Sequence, residues 1–319
     1  MNIVTSLLML VIGLFLLVKG SDVFVDGSSG LARNFNVPNF VIGLTIMAFG
    51  TSAPEAFIGV RSALEETAIL AVGNVIGSDI FNLIFIIGLA AIITPISINF
   101  AKISKDFTVA ISGPILLLIM MLIFESEIPR FGGLSFLALF FTYVAILVYN
   151  ILKTRKTQPL QDSLEDHMLL PRPLKKNILI TIIGLICILL GGELTVYHAT
   201  TIAETLMISP RIIGLTIVAI GTSLPELMIV LSASKRGENE LAIGNIIGSS
   251  IFNIFFVLGL TGVVTPLPIE IRLIYDLIFL TITALILGVF LITKKKLSRI
   301  EGSLMVFAYL LYLVFVIVN

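Results

Sequence analysis

Two stretches of this sequence, Gly43–Glu55 (GLTIMAFGTSAPE) and Gly214–Glu226 (GLTIVAIGTSLPE), are one segment written twice: ten of their thirteen positions are identical. A second pair follows, Gly73–Asn82 (GNVIGSDIFN) and Gly244–Asn253 (GNIIGSSIFN), identical at eight of ten. The offset is 171 residues throughout, carrying Glu55 to Glu226, Ser78 to Ser249, Asn82 to Asn253 and Pro95 to Pro266. A single offset holding over both blocks marks an internal duplication.

The copies lie in a very apolar chain. Hydrophobic residues make up 57% of the 319 and charged residues 13%, with a mean hydropathy of +1.12, outside the range of a soluble domain of this size. Apolar runs long enough to cross a hydrocarbon core of about 30 Å recur from end to end. Ten spans are expected, at 3–19, 38–61, 69–95, 107–124, 132–152, 177–196, 210–234, 241–266, 274–293 and 301–318. The first has no basic n-region and no small-residue cleavage site, so it reads as a retained helix. The single cysteine, Cys187, lies inside a span and excludes an intrachain disulfide framework. Formal net charge is zero, and no basic surface suggests nucleic acid.

Each copy contains five spans, an odd number, so the second enters the membrane from the opposite side. The expected fold is therefore an all-α membrane protein of ten transmembrane helices, in two inverted-topology five-helix repeats with broken helices at the midplane. Residues 1–152 form the first repeat, 177–319 the second, and the polar, proline-containing segment 153–176 a solvated linker. With the amino terminus outside, the inner connections hold Lys19, Arg33, Lys102, Lys105, Lys153, Arg155, Lys156, Arg172, Lys175, Lys176, Lys235, Arg236, Lys294, Lys295, Lys296 and Arg299. The outer ones hold only Arg61, Arg130, Arg211 and Arg272. Sixteen against four is a strong positive-inside bias, placing both termini outside and the linker in the cytoplasm.

The repeated blocks are also where polar residues enter the membrane. Glu55 and Glu226 sit mid-span with no lysine or arginine at comparable depth, and an ionised carboxylate there needs a compensating charge. A bound cation supplies one. A lone glutamate could instead be a protonated structural group, but a symmetric pair in identical motifs favours the cation. Thr51 and Ser52 precede Glu55 by four and three residues and share its helix face. Pro54 has no N–H for the carbonyl of Gly50, so this turn should open, as it should at Pro225 and Gly221. Unwound backbone in a membrane lines cavities, and its carbonyls can hold ions. Ser78 and Asn82, like Ser249 and Asn253, are four apart. The inventory is hard oxygen, suited to sodium or calcium. Transition-metal ligands are missing from it: His167 and His198 have no ligand-spaced partner. Thr45, Thr216 and the many glycines read as helix packing by small residues.

GTSAPE with GNVIGSDIFN, and GTSLPE with GNIIGSSIFN, resemble the two alpha-repeats of the calcium/cation antiporter superfamily, nearest its prokaryotic sodium/calcium exchanger branch, over essentially the whole chain. The resemblance implies a multi-pass protein of the cell (inner) membrane that is not an enzyme and exchanges sodium for calcium by alternating access. It implies no cofactor, the transported Ca2+ and Na+ being its substrates, the lipid bilayer its surroundings, and no obligate protein partner. Glu55 and Glu226 would serve both ions. The carbonyls of Thr51 and Thr222 would join the calcium site. Ser52, Ser78, Ser223 and Ser249, with the carbonyls of Ala48 and Ala219, would complete flanking sodium sites, and Asn82 and Asn253 would line the middle. Spans 1 and 6 would slide as a pair across the other eight.

Two departures stand out. Asn253 replaces an aspartate found in some microbial and potassium-dependent relatives, which argues against potassium co-transport. Asp79 occupies a usually neutral position about 100° around the helix from Ser78, and its spacing alone does not say whether it faces the site. The linker is too short for the calcium-sensing domains of animal exchangers. The nearest rival is a proton-coupled calcium/cation exchanger, whose vacuolar-type branch carries a glutamate soon after the GN pair, where this chain has hydrophobic residues. An intramembrane enzyme would need carboxylates in differing environments and a nucleophile–base pair; a cation channel would not need paired broken helices. The topology has a direct test. A cysteine replacing Gln161 is expected to react with an impermeant maleimide only after cells are permeabilised, and labelling of intact cells would invert the assignment.

Overall fold

In hydrocarbon each backbone N–H and C=O must find its partner within the segment, so long apolar runs fold as helices. The computed structural model describes residues 3–65, 68–97, 100–124, 126–157, 172–207, 219–294 and 296–318. Its helices are α1 (Ile3–Phe35), α2 (Asn39–Thr51), α3 (Ala53–Leu64), α4 (Ala68–Ile93), α5 (Phe100–Ile123), α6 (Arg130–Thr157), α7 (Leu174–Thr205), α8 (Ala219–Thr222), α9 (Leu224–Lys235), α10 (Asn239–Val264), α11 (Ile271–Lys294) and α12 (Arg299–Val318). Among the described residues eight helices are long and apolar enough to cross a membrane, and α2 with α3, bent by 44° at their junction, would make a ninth. Residues 208–218, which open the seventh expected span and include Thr216, lie outside the described residues, as do linker residues 158–171 with His167.

The first and sixth spans are longer than their apolar runs. Hydropathy ends them at 19 and 196, whereas α1 continues to Phe35 and α7 runs from Leu174 to Thr205. At 1.5 Å per residue, α1 is about 50 Å long, well beyond the hydrocarbon thickness. Its second half is held by packing: Gly20, Ser21, Phe24, Gly27, Ser28 and Gly30 are all buried. The partner is α7, running antiparallel. Gly13 lies against Thr195, Gly20 against Cys187, Gly27 against Thr181 and Gly30 against Asn177, while Gly184 and Gly191 receive Phe24 and Leu17. Glycines seven residues apart on both helices leave a seam without side-chain knobs, which lets the backbones approach closely.

Burial separates the remaining helices. In α4 and α10 the apolar windows are 72% and 83% buried, against 22–33% for the other spanning helices. The two helices carrying the GN…SxxxN blocks thus form the centre, and the other long helices leave most of their residues at the surface. Gly43, Gly244 and Gly248 let α10 press onto the backbone of α2, which brings Ser249 and Asn253 up to the GTSAPE segment.

Short connections tie the first and second halves together reciprocally. Ile96–Ser97 (β1) and Lys296–Leu297 (β4) pair antiparallel, with Ile96 opposite Leu297. Glu127–Ile128 (β2) and Leu267–Pro268 (β3) do the same, with Ile128 opposite Leu267. The offset of 171 carries β1 onto β3. Gly88 meets Gly302, and Gly259 and Gly262 meet Gly133 and Leu137, in the same exchanged sense. Tyr143 donates to Asp106 at 2.7 Å and Tyr312 to Asp276 at 2.9 Å, a matched pair within each half.

The seam is open to test. A Cβ at Gly184 would lie 2.5 Å from the amide nitrogen of Phe24 and 2.6 Å from its Cα, whereas one at Gly77 would meet nothing within 4 Å. Gly184→Ala is expected to lower the melting temperature of the purified protein, at a cost of about 1–3 kcal/mol. Gly77→Ala, measured beside it, should not.

Candidate cation site

The repeated motif ends one helix and starts another. At Ser52 the backbone leaves the helical region (φ −82°, ψ 10°), and α3 begins with Pro54 in its first turn, where a missing N–H costs nothing. Ser223 repeats this (φ −94°, ψ 7°), and α9 begins at Leu224 with Pro225 in its first turn. Glu55 and Glu226 therefore sit in the first turns of α3 and α9, where the helix dipole favours negative charge. A second irregularity was not expected from sequence. Phe81–Ile86 and Phe252–Leu258 are π-helical turns inside α4 and α10, each holding one of the paired asparagines, Asn82 and Asn253. Single π turns widen a helix and commonly mark functional positions.

The side chains converge in a sealed interior. Glu55, Glu226, Thr51, Ser52, Asn82, Ser223, Ser249 and Asn253 are fully buried, and Ser78 is 2% exposed. Ser52 donates to Glu226 Oε1 at 3.2 Å, joining the two halves directly, and Ser78 donates to Glu55 Oε1 at 3.4 Å. The equivalent contacts in the other copy are not made, and the hydroxyl oxygens of Ser223 and Ser249 are buried without a partner. Glu55 Oε2, Glu226 Oε2, both amide atoms of Asn82 and Oδ1 of Asn253 are likewise buried and unpartnered. Native interiors rarely leave so many acceptors orphaned in one place, and a cation is the partner that oxygen atoms lacking donors can share.

The remaining expected residues are placed as follows. The Thr51 hydroxyl donates back to the carbonyls of Met47 (3.1 Å) or Ala48 (3.3 Å), which leaves its oxygen lone pairs as well as its backbone carbonyl able to face a site. The Ala48 carbonyl also accepts from Ser52 N at 3.0 Å. Thr222 donates to Asn74 Oδ1 at 3.4 Å, and Ala219 begins α8 with its backbone near the same turn. Thr45 bonds back to Val41 within its helix at 2.7 Å, in keeping with a packing role. His198 is buried with its ring against Tyr197, far along the sequence from any second imidazole. No three His, Cys, Asp or Glu side chains among the described residues gather into a metal-holding group, so a cation here depends on hydroxyl, amide and carbonyl oxygens beside the glutamates.

One residue left open by its spacing and two not singled out in the sequence also lie here. Asp79 is 1% exposed and accepts from Asn253 Nδ2 at 3.1 Å, which places it at the centre. Asn74, the partner of Thr222, and Asn245, whose amide is buried, are the asparagines of the two GN pairs. Their identity in both copies was the signal that could have found them.

The fold is that of a multi-pass membrane protein with an oxygen-lined interior. The profile of the family described as sodium/calcium exchanger protein matches residues 5–149 and again 176–318, and the chain belongs to that family. It is 35% identical over 309 residues to the putative antiporter CaxA of Alkalimonas amylolytica, covering 94% of this chain and 95% of that protein. It is 31% identical over 345 residues to the sodium/calcium exchanger MaX1 of Methanosarcina acetivorans, covering 98% of each. Among solved structures it is similar to the sodium-calcium exchanger NCX_Mj, with a TM-score of 0.83 and 35% identity over 97% of this chain and 98% of that one.

The burial of two carboxylates should also be visible in stability. Glu55→Gln removes a charge from a dry interior while keeping shape and an acceptor for Ser78. It is expected to raise the melting point of ion-free protein, by about 1 kcal/mol or more. The same variant should lose the stabilisation that saturating calcium gives wild type, about 2.7 kcal/mol at a hundredfold excess over Kd.

Proposed function

We propose that this protein is a secondary active antiporter that exchanges sodium for calcium across the cell (inner) membrane by alternating access. The observation that carries the reading is the pair of fully buried glutamates at two matched helix breaks, each with one oxygen bonded to a serine and one without a protein donor. The calcium ligands are Glu55, Glu226 and the carbonyls of Thr51 and Thr222. Ser52, Ser78, Ser223 and Ser249, with the carbonyls of Ala48 and Ala219, complete sodium sites around the same carboxylates, and Asn82 and Asn253 line the middle.

The architecture proposed with it is ten spans in two inverted five-helix repeats, 1–152 and 177–319, joined by 153–176 in the cytoplasm with both termini outside. The reciprocal strand pairs, the antiparallel α1–α7 seam and the twofold match to one family profile support it. So does the agreement between contacts and charge: connections assigned to one side meet each other. Arg236 and Ser232 reach Asp22, and Arg172 reaches Asp26, at the basic end, while Arg130 caps the carbonyl of Val264 at the other. Glu238 adds bonds to Ser29 and Asn39 at the basic end.

Coupling follows from sharing. Two carboxylates carry two negative charges, enough to neutralise one calcium. Sodium ions that use the same oxygens exclude calcium, so the ions take turns. Exchange of three sodium for one calcium moves one net charge per cycle, adding about 2.3 kcal/mol per 100 mV to the driving force. The proton-coupled alternative is less well supported, because the family profile and the named exchangers that the chain resembles are sodium/calcium proteins.

The decisive measurement is calcium uptake by proteoliposomes with and without an opposing sodium gradient. Uptake should require the gradient, need no potassium, and respond to an imposed voltage. Glu55→Gln or Glu226→Gln should each abolish it. Exchange at wild-type rates in both variants would make the glutamates structural and remove the proposed site.

A further inference from the structure

The two halves of the cluster are matched nearly residue for residue, and the exception lies at its centre. The offset that carries Asn82 to Asn253 carries Asp79 to Ser250. Both members of the exceptional pair are buried, each 1% exposed. Asp79 reaches across to the other half, where its Oδ1 accepts from Asn253 Nδ2 at 3.1 Å, leaving Asn253 Oδ1 buried with no protein donor. Asn82, the counterpart, has neither amide atom partnered.

An asparagine side chain offers two donors at one end and two acceptors at the other, and its neighbours decide which end faces where. A carboxylate can only accept, so an amide facing one must present its nitrogen. A serine hydroxyl both donates and accepts, and therefore imposes no direction on the amide it meets. We propose that Asp79 is a positioning residue: it holds the amide of Asn253 by its nitrogen, so that Oδ1 is presented to the cation cluster as a fixed ligand, while Asn82 keeps the freedom to turn. The two central asparagines, equal in sequence, are thereby unequal in function. This rests on the exchanger reading above, in which they line the middle of the cluster and stand outside the calcium ligand set. The effect of losing the anchor should accordingly fall on sodium.

The test is the sodium dependence of calcium exchange in proteoliposomes. Asp79→Ser gives this position the residue that the other half already carries, so it changes the anchor with little change of volume near the helix. Wild type, measured in the same preparation, reports on the exchanger reading itself; absence of sodium-dependent exchange there would overturn that reading and this proposal together. With wild type active, Asp79→Ser is expected to raise the half-saturating sodium concentration about tenfold, the scale of one hydrogen bond to a charged group. The calcium KM should stay within about twofold, since an interaction outside the calcium ligand set contributes little to it. Asp79→Asn, whose amide can still accept through Oδ1, should fall between. The exchanged variant D79S/S250D moves the anchor to Asn82 and should recover much of the lost sodium affinity, a rescue that a packing defect at residue 79 would not show. Unchanged sodium dependence in Asp79→Ser would overturn the proposal. A collapse of calcium exchange as complete as in Glu55→Gln would also overturn it, making Asp79 a direct ligand.

Discussion

A carboxylate buried in the middle of a membrane protein must be compensated, and among the described residues no lysine, arginine or histidine pairs with Glu55 or Glu226. The ion pairs among the described residues, Arg236–Asp22, Arg172–Asp26, Arg61–Glu65 and Lys102–Glu240, each have at least one partner at or beyond a helix end and none involves Glu55 or Glu226. Glu55 and Glu226 receive one serine hydroxyl each, far short of what two charges lose on leaving water. Much of the architecture answers to that deficit. The helices break at Ser52 and Ser223, which sets the glutamates at helix amino termini and frees carbonyls beside them. The π turns at Asn82 and Asn253 open further backbone, and the two most buried helices carry the remaining oxygens into the same volume.

The same deficit makes the candidate residues stand out in the sequence. Polar residues in an apolar chain stand out by their cost, and a cost incurred twice at one offset marks residues that act together. The twelve expected residues fall in or beside one region of the structure wherever they are described. What sequence left undecided was local geometry. Spacing could place Asp79 about 100° around α4 from Ser78 but not decide which neighbour that face meets, because Asn253, which it reaches, comes from the other half of the chain. The second half of α1 was missed for a different reason. Lys19, Asp22 and Asp26 end the hydropathy signal, yet the helix continues because glycines and serines on its other face pack against α7, and packing is not visible to hydropathy. Asn74 and Asn245 stand in the repeated Gly-Asn dipeptide, eight residues before Asn82 and Asn253, and spacing along the helix does not show that Asn74 meets Thr222 of the other half.

The glycine seam makes α1 and α7 one body: their backbones pack against each other with no room for a Cβ at Gly20, Gly27 or Gly184, and Arg172, just before α7, pairs with Asp26 on α1. Polar bonds from this pair to α9 and its flank lie at the basic end, where Asp22 meets Ser232 and Ser29 meets Glu238. A pair bound tightly to itself is suited to move as one unit, the motion that the alternating-access proposal needs.

The reciprocal strand pairs carry a historical implication. When β1 pairs with β4 while β3, the counterpart of β1, pairs with β2, which maps onto β4 at an offset of 169, the contact between halves is isologous, the kind that two copies of one polypeptide make about a twofold axis. On the inverted architecture, such a pair consists of one five-helix chain inserted in both orientations. A homodimer of that kind must carry the same residue at both equivalent positions, so an aspartate at one centre brings an aspartate at the other. Fusion through a linker removed that obligation. The difference between Asp79 and Ser250 is open only to a chain whose halves are encoded separately, and it is there, rather than in any gained helix, that joining the two genes changed what the protein could become.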